Sequence, residues 1–87
     1  MSLPVTLEPG YCSILEKVSP NGVSASDATM TTVGIVDAII DTGNNLVSVD
    51  QYVWFKINEH TNKVLYETDT YFIVKETDVL MIENPPV

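Results

Sequence analysis

The stretch YETDTYFIVKETDVLMIE (Tyr66–Glu83) decides how this chain is interpreted, because it places the tripeptide Glu-Thr-Asp twice among apolar runs. The runs TYFIVK and VLMIE are rich in β-branched and aromatic residues, which favours two strands. In a strand, Glu67 and Asp69 would share one face, and no calcium-loop spacing brings further oxygen ligands to them. We therefore expect both triplets to end strands with hydrated charges, and we do not expect them to form a catalytic or metal site.

Further apolar segments on the amino-terminal side also predict strands. They are GYCSILEKV (Gly10–Val18), VGIVDAIID (Val33–Asp41), QYVWFKI (Gln51–Ile57) and KVLYE (Lys63–Glu67). The segments DTGNN and NEHTN separate them and are rich in turn-forming residues. No window keeps apolar residues at helical spacing between capping residues. The sequence predicts an all-β fold of about five to seven short strands, in a single domain over residues 1–87, as a small barrel or sandwich.

The charge balance excludes several partners. The 87 residues carry 12 acidic side chains against 4 lysines, a formal net charge of -8. Nucleic acids and anionic membranes both require clustered positive charge, so neither is an expected partner. No apolar run reaches the length of a membrane span, and the sequence MSLPVTLEPG does not have the pattern of a secretory signal. These features predict a cytoplasmic protein.

Residues with reactive side chains lack the neighbours that chemistry requires. Cys12 is the sole cysteine and lies in an apolar segment, so we expect a buried, inert thiol. His60 is the sole histidine and lies in a polar connector, so a solvated turn residue is expected there. The triplet Asp41-Thr42-Gly43 resembles that of aspartic proteases, but a domain this small would need a dimer to pair two such aspartates. We expect no enzyme activity, no cofactor and no metal site.

One segment, SPNGVSASDATMTT (Ser19–Thr32), is long and polar for a connection between two strands. Loops of this length in small domains are usually functional or disordered. One interpretation is a solvated hairpin loop without a function. The other is a binding loop, in which Val23, Ala25 or Met30 would act as an apolar anchor.

Taken together, these segments resemble the GroES-type small co-chaperonins. The family has a V-G-D-x-V-x-F strand, a hairpin, an apolar strand, an acidic E-x-D-[IV]-L turn and a final apolar strand that ends in Glu. The segments Val49–Phe55 and Glu76–Leu80, with Glu83, are similar to these features. GIVDAII (Gly34–Ile40) is similar to the family's G-x-V-x-A-[IV]-G, and YCSILEKV to its first barrel strand.

The resemblance implies a GroES-like β-barrel that forms a ring of seven subunits and caps an ATP-dependent chaperonin in the cytoplasm, or in the host cytoplasm if a phage encodes it. It implies a mobile loop over Ser19–Thr32, which would bind the chaperonin through Gly22, Val23, Ser24 and Ala25. Main-chain pairing between the first and last strands would join neighbouring subunits. The implied interface residues are Leu3, Val5, Leu7, Val79, Leu80, Met81 and Ile82.

The chain departs from the family pattern at three places. Ser24 and Ala25 stand where the family has bulky apolar residues. TLEPG is only loosely similar to the family's Pro-Leu-x-Asp. The family's roof hairpin is reduced to about TGNNLVS, as in virus-encoded relatives. A second hypothesis is therefore a ring-forming or adaptor β-barrel of a phage particle, with the long loop in contact with another structural protein. The two hypotheses share fold and acidity, so composition does not separate them.

Overall fold

The computed structural model describes residues 3–25 and 31–86, and this part of the chain is all-β. A single 3-10 turn, Glu76–Asp78, is its only helical element. The strands are β1 (Tyr11–Glu16), β2 (Thr31–Ile39), β3 (Tyr52–Lys56), β4 (Asn62–Tyr66), β5 (Asp69–Lys75) and β6 (Val79–Glu83). The predicted all-β class is confirmed, and β2 begins two residues earlier than its apolar run suggested.

In the described residues, all the strand pairs are antiparallel and belong to one six-stranded sheet in the order β4-β5-β1-β2-β3-β6. The outer strands are β4 and β6, and within residues 3–25 and 31–86 each pairs with one neighbour. A closed barrel also needs a contact between the two outer strands, so barrel closure stays a prediction.

The core lies on one face of this sheet. Antiparallel register places Cys12 opposite Val74 and Ile14 opposite Phe72, so their side chains share that face. The buried cluster comprises Cys12, Ile14, Val36, Val47, Val53, Phe55, Phe72 and Val74. The rings of Phe55 and Phe72 pack at a centroid distance of 5.3 Å and a tilt of 57°. Burial of this apolar surface is the main stabilising term, at about 25 cal/mol per Å².

The amino-terminal segment covers part of the opposite face. Leu3 and Leu7 are buried, and the backbone N–H of Leu3 donates to Oδ2 of Asp37 at 3.2 Å. A groove of about 390 Å³ runs between this segment and the sheet, with Val64 and Ile73 in its lining. Residues 3–8 form no strand with the rest of the described chain. They are held by side-chain packing and by the hydrogen bond from Leu3 to Asp37.

The first Glu-Thr-Asp triplet forms the β4–β5 hairpin. Glu67 and Thr68 make a two-residue turn between paired Tyr66 and Asp69, and Glu67 adopts a left-handed φ of 56°. Both acidic residues of the triplet are exposed. Their predicted role as hydrated charges at strand ends is confirmed.

Candidate functional site: the edge strand and the loop base

The strand β6 is an exposed apolar edge. One side of it pairs with β3, and the other side has no strand partner among the residues that the structure describes. Leu80, Met81 and Ile82 are 59%, 50% and 43% exposed. The strand VLMIE contains no lysine or proline, the residues that proteins commonly use to block pairing at an edge. The β6 edge is therefore open to main-chain pairing with another chain.

The carboxylate of Glu83, at the end of β6, binds the base of the long loop. The Ser19 hydroxyl lies 2.9 and 2.8 Å from its two oxygens. Asn21 donates to it twice, from the backbone N–H at 3.0 Å and from the side-chain amide at 2.8 Å. Nε1 of Trp54, on β3, donates at 2.8 Å. We call this set of Ser19, Asn21, Trp54 and Glu83 the Glu83 cluster.

Beyond the cluster, the loop turns into solvent. Gly22 adopts a φ of 75°, a left-handed conformation that costs glycine little. The backbone N–H of Val23 donates to the Ser19 hydroxyl at 3.0 Å, and the Val23 side chain is 45% exposed. Ser24 and Ala25 are exposed as well. Met30 belongs to residues 26–30, outside the described residues, whereas Thr31 and Thr32 open β2.

The loop base and β6 share one surface. A groove of about 440 Å³ is lined by Val23, Trp54, Met81 and Ile82, among others. A second groove, of about 230 Å³, continues along β6 past Leu46. The structure thus brings the predicted interface residues Met81 and Ile82 next to the predicted docking residue Val23. Val79 and Leu80 line the second groove.

The other predicted interface residues lie elsewhere. Leu3 and Leu7 are buried against the chain's own sheet, and Val5 between them is 52% exposed. They line the groove beside Val64 of β4, the outer strand opposite β6. The two predicted halves of an interface therefore lie at opposite ends of the sheet.

The residues of the Glu83 cluster were not predicted to act together. Ser19 and Asn21 belong to the long polar segment, and Trp54 belongs to the predicted strand Gln51–Ile57. Of these residues, only Glu83 was singled out from the sequence, because the GroES-type pattern ends its final strand in Glu. Glu83 lies 62 and 64 positions from Asn21 and Ser19 and 29 positions from Trp54, and local patterns contain no information about contacts at such separations.

The environment of Glu83 alters its acidity. Desolvation would raise the pKa of this carboxyl, but the hydrogen bonds from Trp54, Ser19 and Asn21 outweigh it and lower the pKa below its ordinary value of 4.5. Hydrogen bonds donated to a carboxylate stabilise its charged form. The ionised form is therefore the one that holds the loop base.

We expect the stabilisation by the ionised Glu83 carboxylate to be lost at low pH. Because the pKa is lower in the folded state, the stabilisation is complete above about pH 4.5 and is lost as the pH falls through the lowered value. The measurement is the free energy of unfolding of the wild type and of Glu83→Gln between pH 3 and pH 7. The difference between the two proteins should shrink as the pH falls below 4.5. A constant difference over that range would contradict the role of the charge.

The second Glu-Thr-Asp triplet differs from its prediction. Glu76 is only 5% exposed. Its Oε1 accepts from the backbone N–H groups of Leu46 and Val47 at 2.9 and 3.3 Å, and its Oε2 accepts from the side-chain amide of Asn45 at 3.2 Å. The expectation of a hydrated charge was wrong here, because the loop that carries Leu46 folds over this carboxylate. Glu76 anchors the segment that carries Asn45, Leu46 and Val47.

Cys12 is buried in the core, as predicted. Burial, together with the nearby negative charge of Glu76, raises the pKa of its thiol from 9.0 to about 12. The thiolate is the reactive form of cysteine, so this residue is suited to packing.

We expect Cys12 of the folded protein to resist alkylation. The rise in pKa from 9.0 to about 12 lowers the thiolate fraction at pH 8 about a thousandfold, and burial further limits access. The rate of iodoacetamide labelling, followed by mass spectrometry, should be low in buffer and normal in denaturant. Equal rates in the two solutions would show that Cys12 is exposed.

The remaining candidates have local structural roles. His60 lies 3.6 Å from Glu59 in an exposed turn. Asp41 accepts a hydrogen bond from the backbone N–H of Gly43 at 3.0 Å, which closes a turn. Within residues 3–25 and 31–86, no group of acidic, histidine or cysteine side chains could hold a metal ion. In the same residues, no helix has the length and apolarity to cross a membrane.

The geometry joins two features: an apolar strand edge that has no strand partner in the described part of the chain, and a loop anchored beside it. Such a surface can bind another polypeptide through main-chain and apolar contacts. No protein-family model matches this chain, and no curated protein matches it with significant similarity.

Proposed function

We propose that this protein is a co-chaperonin, a ring-shaped lid that binds a chaperonin through its long loops and assists protein folding. The observation that carries the proposal is the position of the loop: its base is anchored by Glu83 at the end of an open apolar edge strand. The surface proposed for assembly and the segment proposed for binding would thus lie side by side on each subunit. The similarity of the strand segments to the GroES-type pattern supports the same function.

The ring would form by head-to-tail contact. The β6 edge of one subunit would pair with the Leu3–Leu7 segment of the next, and these elements lie toward opposite ends of the sheet. A contact between two different surfaces closes into a ring when its rotation allows, and the family resemblance implies seven subunits. Burial of Leu80, Met81 and Val5, all now exposed, would favour assembly.

Binding to the chaperonin would depend on many weak contacts. Val23 is the apolar residue of the predicted docking set that can bury substantial area, because Ser24 and Ala25 are small. A single loop would therefore bind weakly, since ordering it costs conformational entropy. A ring that presents several loops to a second ring gains affinity through effective concentration.

Two measurements test the proposal together. Native mass spectrometry should give a closed ring, and Met81→Lys should shift it toward monomer. Leu65→Lys changes another exposed apolar residue, on the opposite outer strand, and should have a smaller effect. Immobilised chaperonin should retain the protein in the presence of ATP or ADP. Chaperonin should also protect residues 19–32 from protease.

The loop has a matched pair of variants. Val23→Asp should weaken retention on the chaperonin about tenfold or more, because every loop of the ring carries the change. Val18→Asp introduces the same charge at a residue that is 86% exposed and outside the docking set, and should leave retention nearly unchanged. A ring that binds no chaperonin with any nucleotide would contradict the co-chaperonin function and favour a structural role in a phage particle.

A further inference from the structure

We propose that Glu83 is a positioning residue that fixes the direction in which the long loop leaves the sheet. Its carboxylate joins the loop base to β6 and β3 through Ser19, Asn21 and Trp54. The positioning is a property of the subunit alone. Its consequence for binding rests on the proposed co-chaperonin function.

The geometry of the hydrogen bonds supports this role. Trp54 is nearly buried, at 5% exposure, so its indole fixes the carboxylate from the sheet side. Ser19 is 8% exposed and contacts both carboxylate oxygens from the loop side. Asn21 also donates from its side-chain amide to the backbone carbonyl of Asn84 at 2.7 Å, which adds a second attachment to the same end of β6.

A relay extends the effect to the docking residues. The Ser19 hydroxyl that donates to Glu83 accepts a hydrogen bond from the backbone N–H of Val23. The carboxylate thus orients Ser19, and Ser19 orients the backbone at Val23. Through this relay, Glu83 controls a residue that it does not touch.

The expected consequence is a smaller entropic cost of binding. The connection between β1 and β2 comprises residues 17–30, and the Glu83 cluster anchors its first part. Each residue that is ordered in advance does not have to be ordered when a partner binds. Loss of the cluster should therefore weaken partner binding without removing any contact to the partner.

Hydrogen exchange in the isolated, isotope-labelled protein tests the positioning directly. In Glu83→Ala, the amides of Asn21 and Val23 should exchange about tenfold faster or more, since hydrogen bonds to a charged group are strong. Amides of β1 should keep their protection, which would show that the sheet is intact. Glu59→Gln removes a charge from an exposed turn and should leave both loop-base amides unchanged.

Trp54 provides a second, spectroscopic measurement, because it is the sole tryptophan. Loss of its carboxylate partner should shift its emission to longer wavelength in Glu83→Ala and, to a smaller extent, in Glu83→Gln. If Glu83 only stabilised the fold, its replacement would change the unfolding midpoint but not the Trp54 emission of the folded protein.

The outcomes separate this inference from the proposed function. If the Asn21 and Val23 amides keep wild-type exchange in Glu83→Ala, the positioning role is overturned, whatever the protein binds. If Glu83→Ala does not fold, hydrogen exchange in Glu83→Gln and Ser19→Ala tests the positioning role instead. Ser19→Ala should accelerate exchange at Val23, and wild-type exchange in both variants overturns the role. Faster exchange in a protein that binds no chaperonin would retain the positioning role and refute the co-chaperonin function.

Discussion

Replacement of Gly34 by alanine is expected to lower the free energy of unfolding by about 3 kcal/mol. Gly34 lies in the middle of the sheet, on β2, between β1 and β3. A Cβ at this position would overlap the backbone carbonyl oxygen of Leu15 and would lie 2.6 Å from Cγ2 of Ile14. A rotamer change cannot move a backbone carbonyl, so β1 and β2 would have to separate.

Urea denaturation measures this effect, and Gly43→Ala is a useful control. Gly43 has a φ of 80° but open space around its Cβ position, so its replacement adds backbone strain without a clash. We expect that control to cost about 1 kcal/mol. If the two variants lost equal stability, the close approach of the strands at Gly34 would not be the cause.

Replacement of Glu76 by alanine is expected to cost about 3 kcal/mol as well. The change removes the acceptor for two backbone N–H groups, and Val47, which carries one of them, is only 2% exposed. A buried donor without an acceptor costs its full desolvation penalty. The loop over Glu76 also inserts Val47 into the core, so its release would expose apolar surface.

Glu76→Gln separates the hydrogen bonds from the charge. Its carbonyl oxygen can still accept from Leu46 and Val47, whereas its amide group would face the amide of Asn45. We expect a loss of about 1 kcal/mol in urea denaturation. The nearby charge also raises the pKa of Cys12, so that pKa should fall in the glutamine variant. Equal losses in the alanine and glutamine variants would contradict the role of the backbone hydrogen bonds.

Much of the fold could be predicted because strand formation depends on neighbouring residues. Apolar and β-branched residues in short runs predicted all six strands, and VLMIE matched β6 in full. The limits of β2 were less accurate, because Thr31 and Thr32 lie before the apolar run and yet pair with Lys56 and Phe55. A local pattern does not reveal a partner strand.

The two Glu-Thr-Asp triplets show that local sequence also fails to predict the environment of a side chain. They are identical in sequence, yet Glu67 is an exposed turn residue and Glu76 is a buried acceptor. The difference arises from a loop 30 residues away that folds over Glu76 and not over Glu67.

Composition and contacts between neighbouring residues are enough to predict the strands, the excess of acidic residues and the long loop. They do not predict which strand lies at the edge of the sheet or where the loop base is anchored. Both depend on contacts between distant residues, such as Ser19 and Glu83, 64 positions apart. The energy of such contacts depends on the burial and geometry that the folded chain creates.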